Sequence, residues 1–311
     1  MAINRSNISK QLLPGLNAIF GIEYNSIEDE HAPLYETENS DRAFEEEVLM
    51  TAFGEAPVKA EGAAVEYDTA QESWTSRYTH ETIALAFAVT EEAMEDNLYD
   101  TFAKIRARAL ARAMASTKQV KAANVFNNGF DANYAGGDGV ALFSDSHPTV
   151  GGSSQDNNLT GADLSEASLE TAVITIQKLK DDRDILIGAM PRSLHVPPDL
   201  QFTAEKVLYS DLSTRTATHG SDGITNRNDV NAVRSMGVMP DGCFVNHRFT
   251  DTNAWFVKTD VPNGTKMFTR APLATKMEPD FDTGNLRFKA RERYSFGWSD
   301  WRNWVGNAGS S

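Results

Sequence analysis

The chain has 311 residues, 41% hydrophobic and 23% charged, and a core of the size this allows needs no covalent staple. Its 44 acids and 29 bases leave a net charge of −15, a field that opposes phosphate binding and excludes a sequence-specific nucleic-acid reader. The single cysteine, Cys243, excludes an internal disulfide and Cys-x-x-Cys metal knots, and no apolar run approaches the roughly 18 residues of a membrane span.

The N-terminus, "MAINRSNISKQLLPGLNAIFGIEY", lacks the continuous apolar core of a signal peptide, so a soluble cytosolic product is expected. Pro14, Gly15 and Gly21 interrupt its apolar residues and predict an extended arm with short helical turns. "DRAFEEEVLM" follows, and its Glu45, Glu46 and Glu47 are expected on a solvated face. Residues 51–71, "TAFGEAPVKAEGAAVEYDTAQ", carry few large apolar side chains and cannot build a core of their own. Beyond them Ile83, Leu85, Phe87 and Val89 alternate with Ala84, Ala86 and Ala88, the period of a strand with unequal faces. Together these stretches predict a long hairpin rooted in a larger body.

The clearest helix is predicted over 90–126, with Thr90 as its cap. Its first turns are acidic (Glu91, Glu92, Glu95, Asp96, Asp100) and its later turns basic, an order that complements the helix dipole. Met94, Leu98, Phe102, Ile105 and Ala109 mark its expected buried face, while Lys118 belongs to the charged portion. At 1.5 Å per residue the helix would run about 50 Å, more a beam than part of a compact enzyme core.

A long glycine-rich loop, "GFDANYAGGDGVALFSDSHPTVGGSSQDNNLTG", comes next. A second helix is predicted around Leu169, Ala172, Val173 and Ile176. "DRDILIGAMPRSLHVPP" reads as strand, and Pro198 suits the first turn of a third helix. "STRTATHGSDGITNRND" reads as a polar connection. The last eighty or so residues are β-rich, with Asn263-Gly264 as a turn. In the final strand Leu286, Phe288, Ala290, Tyr294, Phe296 and Trp298 alternate with Arg287, Lys289, Arg291 and Arg293, one face apolar and the other basic.

The search for chemistry centres on "LFSDSHP", which places Ser144, Ser146 and His147 together. No Gly-x-Ser-x-Gly elbow surrounds the serines, and neighbouring side chains in an extended loop diverge, so a polar turn is expected. The histidines (His31, His80, His147, His195, His219, His247) show no metal-ligand spacing and are expected on the surface or satisfied. Cys243 is expected to be a small buried apolar residue. "NGTK" lacks the rest of a phosphate loop, and "AGGDGV" follows a helix instead of opening one. Asp181 and Asp182, like the three glutamates, are expected in solvent. The basic face of the final strand is expected to meet acidic neighbours in an assembly. No catalytic, cofactor-binding or metal-binding residue is predicted, and the chain is expected not to be an enzyme.

Read as one unit, the strand and helix "ETIALAFAVTEEAMEDNLYDTFAKIRARALARAMASTKQVKAANVFNNGF", the glycine-rich loop and "ALFSDSHP" resemble the major head subunit of Mu-like bacteriophages and prophages. "LHVPPDLQFTAEKVL" is similar to the proline-proline segment and helix of tailed-phage capsid proteins, and "EPDFDTGNLRFKARERYSFGWSDWRN" resembles their closing strand. About two thirds of the chain carries the likeness, and the N-terminal third fits only by layout.

The resemblance implies an α+β fold of the Hong Kong 97 capsid type. It implies an N-terminal arm over 1–50, an extended loop over 51–82, and a peripheral domain over 83–148 with its spine helix near 90–126. An axial domain over 149–260 and closing peripheral strands with the tail over 261–311 complete the layout. The implied function is a structural protein of the virion, assembled in the host cytoplasm into an icosahedral shell around double-stranded DNA. Its partners would be copies of itself in hexameric and pentameric capsomers, with scaffolding, portal and decoration proteins, without sequence-specific DNA binding, membrane or cofactor. A nanocompartment subunit of encapsulin type and a head decoration protein are the alternatives, and an unfamiliar enzyme is the third.

Overall fold

The computed structural model describes residues 9–62, 64–90, 92, 99–159, 161–212, 230–280 and 283–310. Helix α1 (Ser9–Asn25) opens the chain, followed by β1 (Glu36–Asn39), β2 (Phe44–Met50), β3 (Glu72–Thr79) and β4 (Glu81–Val89). Helix α2 (Tyr99–Asn127) leads into short strands β5 (His147–Pro148), β6 (Ser154–Gln155) and β7 (Asn158–Leu159). Then come α3 (Glu166–Gln177), β8 (Pro191–Val196), α4 (Gln201–Tyr209), α5 (Ala232–Met236) and β9 (Cys243–Val245). Strands β10 (Trp255–Thr259), β11 (Thr265–Pro279), β12 (Leu286–Trp298) and β13 (Trp304–Asn307) close the chain.

Two sheets organise these elements. The first runs β1-β11-β12-β4, with β11, β12 and β4 antiparallel and β1 parallel to β11. The second runs β7-β13-β10-β8-β9. A separate hairpin pairs β2 with β3, so the ladder flanks residues 51–71, whose described residues form no strand. The alternation expected of the last strand is present: Leu286, Phe288 and Ala290 are buried while Arg287, Lys289 and Arg291 are exposed. The Asn263-Gly264 turn has a physical reason as well. Asn263 sits at φ 58°, and a Cβ on Gly264 would lie 2.1 Å from the Asn303 side chain.

Helix α3 buries the predicted Leu169, Ala172, Val173 and Ile176, and Ser165 caps it in a reciprocal box with Ser168. Pro198 opens a 3-10 turn that continues into α4. The polar connection around His219 lies outside the described residues.

Helix α2 is where the expectations need most correction. Its described span of 29 residues is about 43 Å long at 1.5 Å per residue. Thr90 lies in no described helix, and Met94, Leu98 and the side chain of Phe102 lie outside the described residues. Ile105 is 55% exposed and Ala109 is exposed too. The buried face is instead Ala103, Ala107, Ala111 and Ala115, four apart, flanked by Leu110 and Met114. Small side chains let α1 and β12 approach closely, so packing partners chose the alanine face over the more hydrophobic one.

Helix α1 is the second correction. It is continuous despite Pro14, Gly15 and Gly21, where an extended arm with short turns was expected. Leu16 and Phe20 bury against α2, Phe288 and Ala290, and Tyr24 packs beside them. Tertiary burial of one stripe outweighs the propensity cost of glycine and proline.

A polar tie closes this second core. Lys118 donates to the Tyr24 hydroxyl at 2.7 Å and pairs with Glu292 at 2.9 Å, joining α1, α2 and β12. Burial works against the Lys118 ammonium, but Tyr24 and Glu292 together hold its pKa above the ordinary value. Lys118, read in the sequence only as part of the charged portion of the helix, is therefore structural.

The main core lies around the five-stranded sheet. Phe126, at the far end of α2, meets Trp304 at 4.7 Å, Phe256 at 5.4 Å and Phe249 at 5.9 Å between ring centres. One helix thus enters both cores. Chemical denaturation tests this assignment. Phe126→Ala should cost about 3–5 kcal/mol as a buried aromatic truncation. Lys118→Ala should cost about 3–5 kcal/mol by stranding the Glu292 carboxylate. Ile105→Ala should stay within about 0.5 kcal/mol, as surface changes do. An Ile105→Ala cost equal to that of Phe126→Ala would show the helix face to be misplaced.

Candidate assembly surfaces

The residues singled out for chemistry are the first to place. His147 is fully buried, with Nδ1 2.6 Å from Asp138 Oδ2 and Nε2 3.0 Å from Asn157 Oδ1. Its ring stacks on Trp301 at 4.2 Å. Asn157 is fixed in turn: its Nδ2 donates to the carbonyls of Leu142, Trp301 and Trp304, and its Oδ1 accepts from the Ser144 backbone N–H. Both imidazole nitrogens are therefore occupied, and the nearest partner of the Ser144 Oγ is Ser146, not the histidine. The three residues that sit together in sequence are not brought together as nucleophile and base. They form a joint that fastens the glycine-rich loop to the second sheet.

The other described histidines are structural. His195 is 1% exposed, hydrogen-bonded to the Ser193 Oγ at 2.9 Å and stacked on Phe244. Burial pushes its pKa down to about 3, so the ring is neutral. This Ser-His pair was missed in the sequence because its alternate spacing on β8 looks like any strand pattern. It is sealed in the core and has no route for a substrate. His31 bonds Gln119, His80 bridges Ser40 and Ser295, and the exposed His247 pairs with Glu30. Cys243 is half-buried, and burial pushes its thiol up to about 12, away from reactivity. Among the described residues no group of three potential ligands is placed to hold a metal ion.

The acidic clusters depart from expectation. Glu45 and Glu47 face inward on β2: Glu45 accepts from Ser40, and Glu47 reaches the nearly buried Lys266 at 2.5 Å. Only Glu46 points outward among the three. Asp182 is buried and pairs with Arg302 at 2.7 Å, while Asp181 accepts backbone N–H groups of its own turn. Glu47 and Asp182 sit opposite cations that the sequence places far away, so charge runs alone could not reveal those pairings.

What remains available is surface. The chain from 51 to 71 is pinned at its base, where Thr51 and Gln71 exchange hydrogen bonds and Asp68 pairs with Arg183. Beyond that base Val58 is 99% exposed and Tyr67 92%. An open cleft of about 410 Å³ lies between α2, Tyr134 and β12, crossed by the Lys121–Glu81 ion pair. On the first sheet, α1 and α2 cover one face; on the other, Lys266, Phe268 and Ser295 lie buried beside the β2–β3 hairpin, while Arg287, Lys289 and Arg291 are exposed. Bare, large and adaptable surfaces, not a cavity with converging groups, are what this molecule offers a partner.

Comparison with known proteins agrees with this geometry. Residues 71–307 match the family model described as phage capsid protein. No curated protein matches. A Mycobacterium phage Adephagia structure superposes with a TM-score of 0.55 at 10% identity, covering 100% of this chain and 99% of that one. The virus-like particle from Pyrococcus furiosus superposes at 0.54 with 9% identity, over 94% and 98%. The capsid of a native GTA particle does so at 0.54 with 13% identity, over 92% of each chain. The fold is thus the mixed α+β architecture of Hong Kong 97-like capsids. With its match over most of its length, the chain belongs to the phage capsid protein family, non-enzymatic structural subunits that associate with copies of themselves as the head shell of the virion.

Proposed function

We propose that this chain is the major head subunit of a Mu-like tailed phage, tiling hexameric and pentameric capsomers around a double-stranded DNA genome. In this reading 1–50 form the N-terminal arm, 51–82 the extended loop, 83–148 and 261–311 the peripheral domain with the tail, and 149–260 the axial domain. Scaffolding, portal and decoration proteins would complete its partners, and no residue would serve catalysis. The observation that carries the reading is the stretch 51–71: anchored at its base, bare along its length, and apolar at Val58, Val65 and Tyr67. A free subunit gains nothing from exposing these side chains. Heterologous contacts between copies, which close into rings and then a shell, supply their burial.

The expressed protein should sediment as closed shells or capsomer rings, visible by electron microscopy. Replacing 55–67 with a short Gly-Ser turn should abolish those particles while helical circular dichroism and melting stay nearly intact. A small compact oligomer from the wild-type chain, or unfolding of the loop-deleted one, would contradict the reading.

A second test concerns Ser144, Ser146 and His147. Ser144→Ala and Ser146→Ala should assemble normally, whereas Pro148→Gly should lower particle yield, because Pro148 holds His147 in extended geometry. Stoichiometric labelling of either serine by a fluorophosphonate probe, lost in His147→Ala, would reinstate an enzyme.

A further inference from the structure

Strand β11 is irregular where it passes the middle of β12: its register slips between Thr269 and Ala271 and again between Ala271 and Ala274. Bulges of this kind re-aim a side chain. The residue left over by the first slip is Arg270, which is set beside Arg293, the partner of Ala271. Along β12 the buried Phe288 and Ala290 face α1 and α2, so Arg291 and Arg293 point to the opposite side. Their cross-strand neighbours are small: Ala274 and Ala84 flank Arg291, and Ala271 and Thr82 flank Arg293. His80 reports that Arg270 and Arg293 converge. Burial lowers its pKa against the pull of Glu45, and Arg293 and Arg270 lower it further, so both guanidinium groups act on one ring.

These cations lack counter-charges. Further along the same face Asp280 takes Arg287 and Glu278 takes Lys276. Glu45, the acid that acts on His80, is engaged by Ser40 at 2.6 Å and by Arg42 at 3.8 Å. His80 itself is held by Ser40 and Ser295. Among the described residues, the side chains of Arg270, Arg291 and Arg293 have no ion pair or hydrogen bond, and the Nε atoms of Arg270 and Arg293 are buried without a partner. Like charges gathered in this way cost stability until an anion arrives.

We propose that Arg270, Arg291 and Arg293 form a binding site for a phosphate-type oxyanion on the face of the first sheet turned away from α1 and α2. The proposal goes beyond the capsid reading and does not depend on it, because each chain carries the whole site. Chemistry selects the ligand. A guanidinium donates through a planar fork that matches two oxygens of one anion. A carboxylate has two oxygens and satisfies a single fork, whereas a phosphate group offers acceptors to several. The net charge of −15 does not prevent this, because salt screens charges beyond about 8 Å while the three arginines are neighbours. Such oxygens come either from a free phosphate or from a nucleic-acid backbone, and the acceptors are the same in both.

Calorimetric titration of the full-length chain with inorganic pyrophosphate at fixed ionic strength tests the site, with melting temperature as the check on folding. The wild-type chain should bind pyrophosphate saturably. R270Q/R293Q should weaken that binding at least about tenfold by removing two charge-assisted contacts, while melting without pyrophosphate stays level or rises. R270K/R293K keeps the charge and loses the fork, so its affinity should fall between the two. R291Q, which changes an exposed side chain, should also weaken binding and gives the same reading where a double variant fails to fold. A short DNA duplex that displaces pyrophosphate from the wild-type chain would name the nucleic-acid backbone as the source of the oxyanion. A duplex that leaves pyrophosphate bound would name the free anion. No saturable binding by the wild-type chain, or affinity unchanged in the folded variants, would overturn the proposal and leave the capsid reading intact.

Discussion

Helix α2 can be held only by close approach. Its buried face between residues 103 and 115 is mostly alanine, which gives little transfer free energy per side chain and depends on partners coming near. Two devices enforce that nearness. Just past that face Lys118 draws Tyr24 of α1 and Glu292 of β12 onto the helix. Two turns further on, Phe126 inserts among Trp304, Phe256 and Phe249. The helix is thus clamped to one sheet by charge and to the other by aromatic rings. The remaining architecture is arranged around that beam.

A rigid beam with soft attachments is a sensible subunit for a shell. Several interior charges are paired within the subunit: His147 and Asn157 lock the glycine-rich loop, Arg302 neutralises Asp182, and Lys266 takes up Glu47. None of these groups is left over for chemistry. By contrast, Val58, Val65 and Tyr67 in the stretch from 51 to 71 are exposed in a single copy. Stability is concentrated where the subunit must keep its shape, and exposure where it must meet others.

Much of this was legible in the sequence, for identifiable reasons. The alternation of β12, the α3 stripe and the turn at Asn263-Gly264 are local patterns with local causes, and the structure reproduces them. The coreless character of 51–71 followed from composition alone. The α2 face and the continuity of α1 did not, because each is decided by the other element: alanines become the buried face only when α1 lies on them. The roles of Lys118, Glu47 and Asp182 were hidden for a related reason. Their partners lie 120 or more residues away, and a charge shows its mate only after folding. His147 was read as a loop residue, whereas it lies in the short strand β5, and its partners Asp138 and Asn157 were not foreseen.

The central claim is that the folded body is complete in one subunit while 51–71 is completed only between subunits. Amide hydrogen exchange on free subunits and on assembled shells measures this directly. The account predicts that α2, β11 and β12 are protected in both states, and that amides of 51–71 exchange rapidly in the subunit and become protected in the shell. Equal protection of 51–71 in both states, or α2 gaining its protection only on assembly, would contradict it.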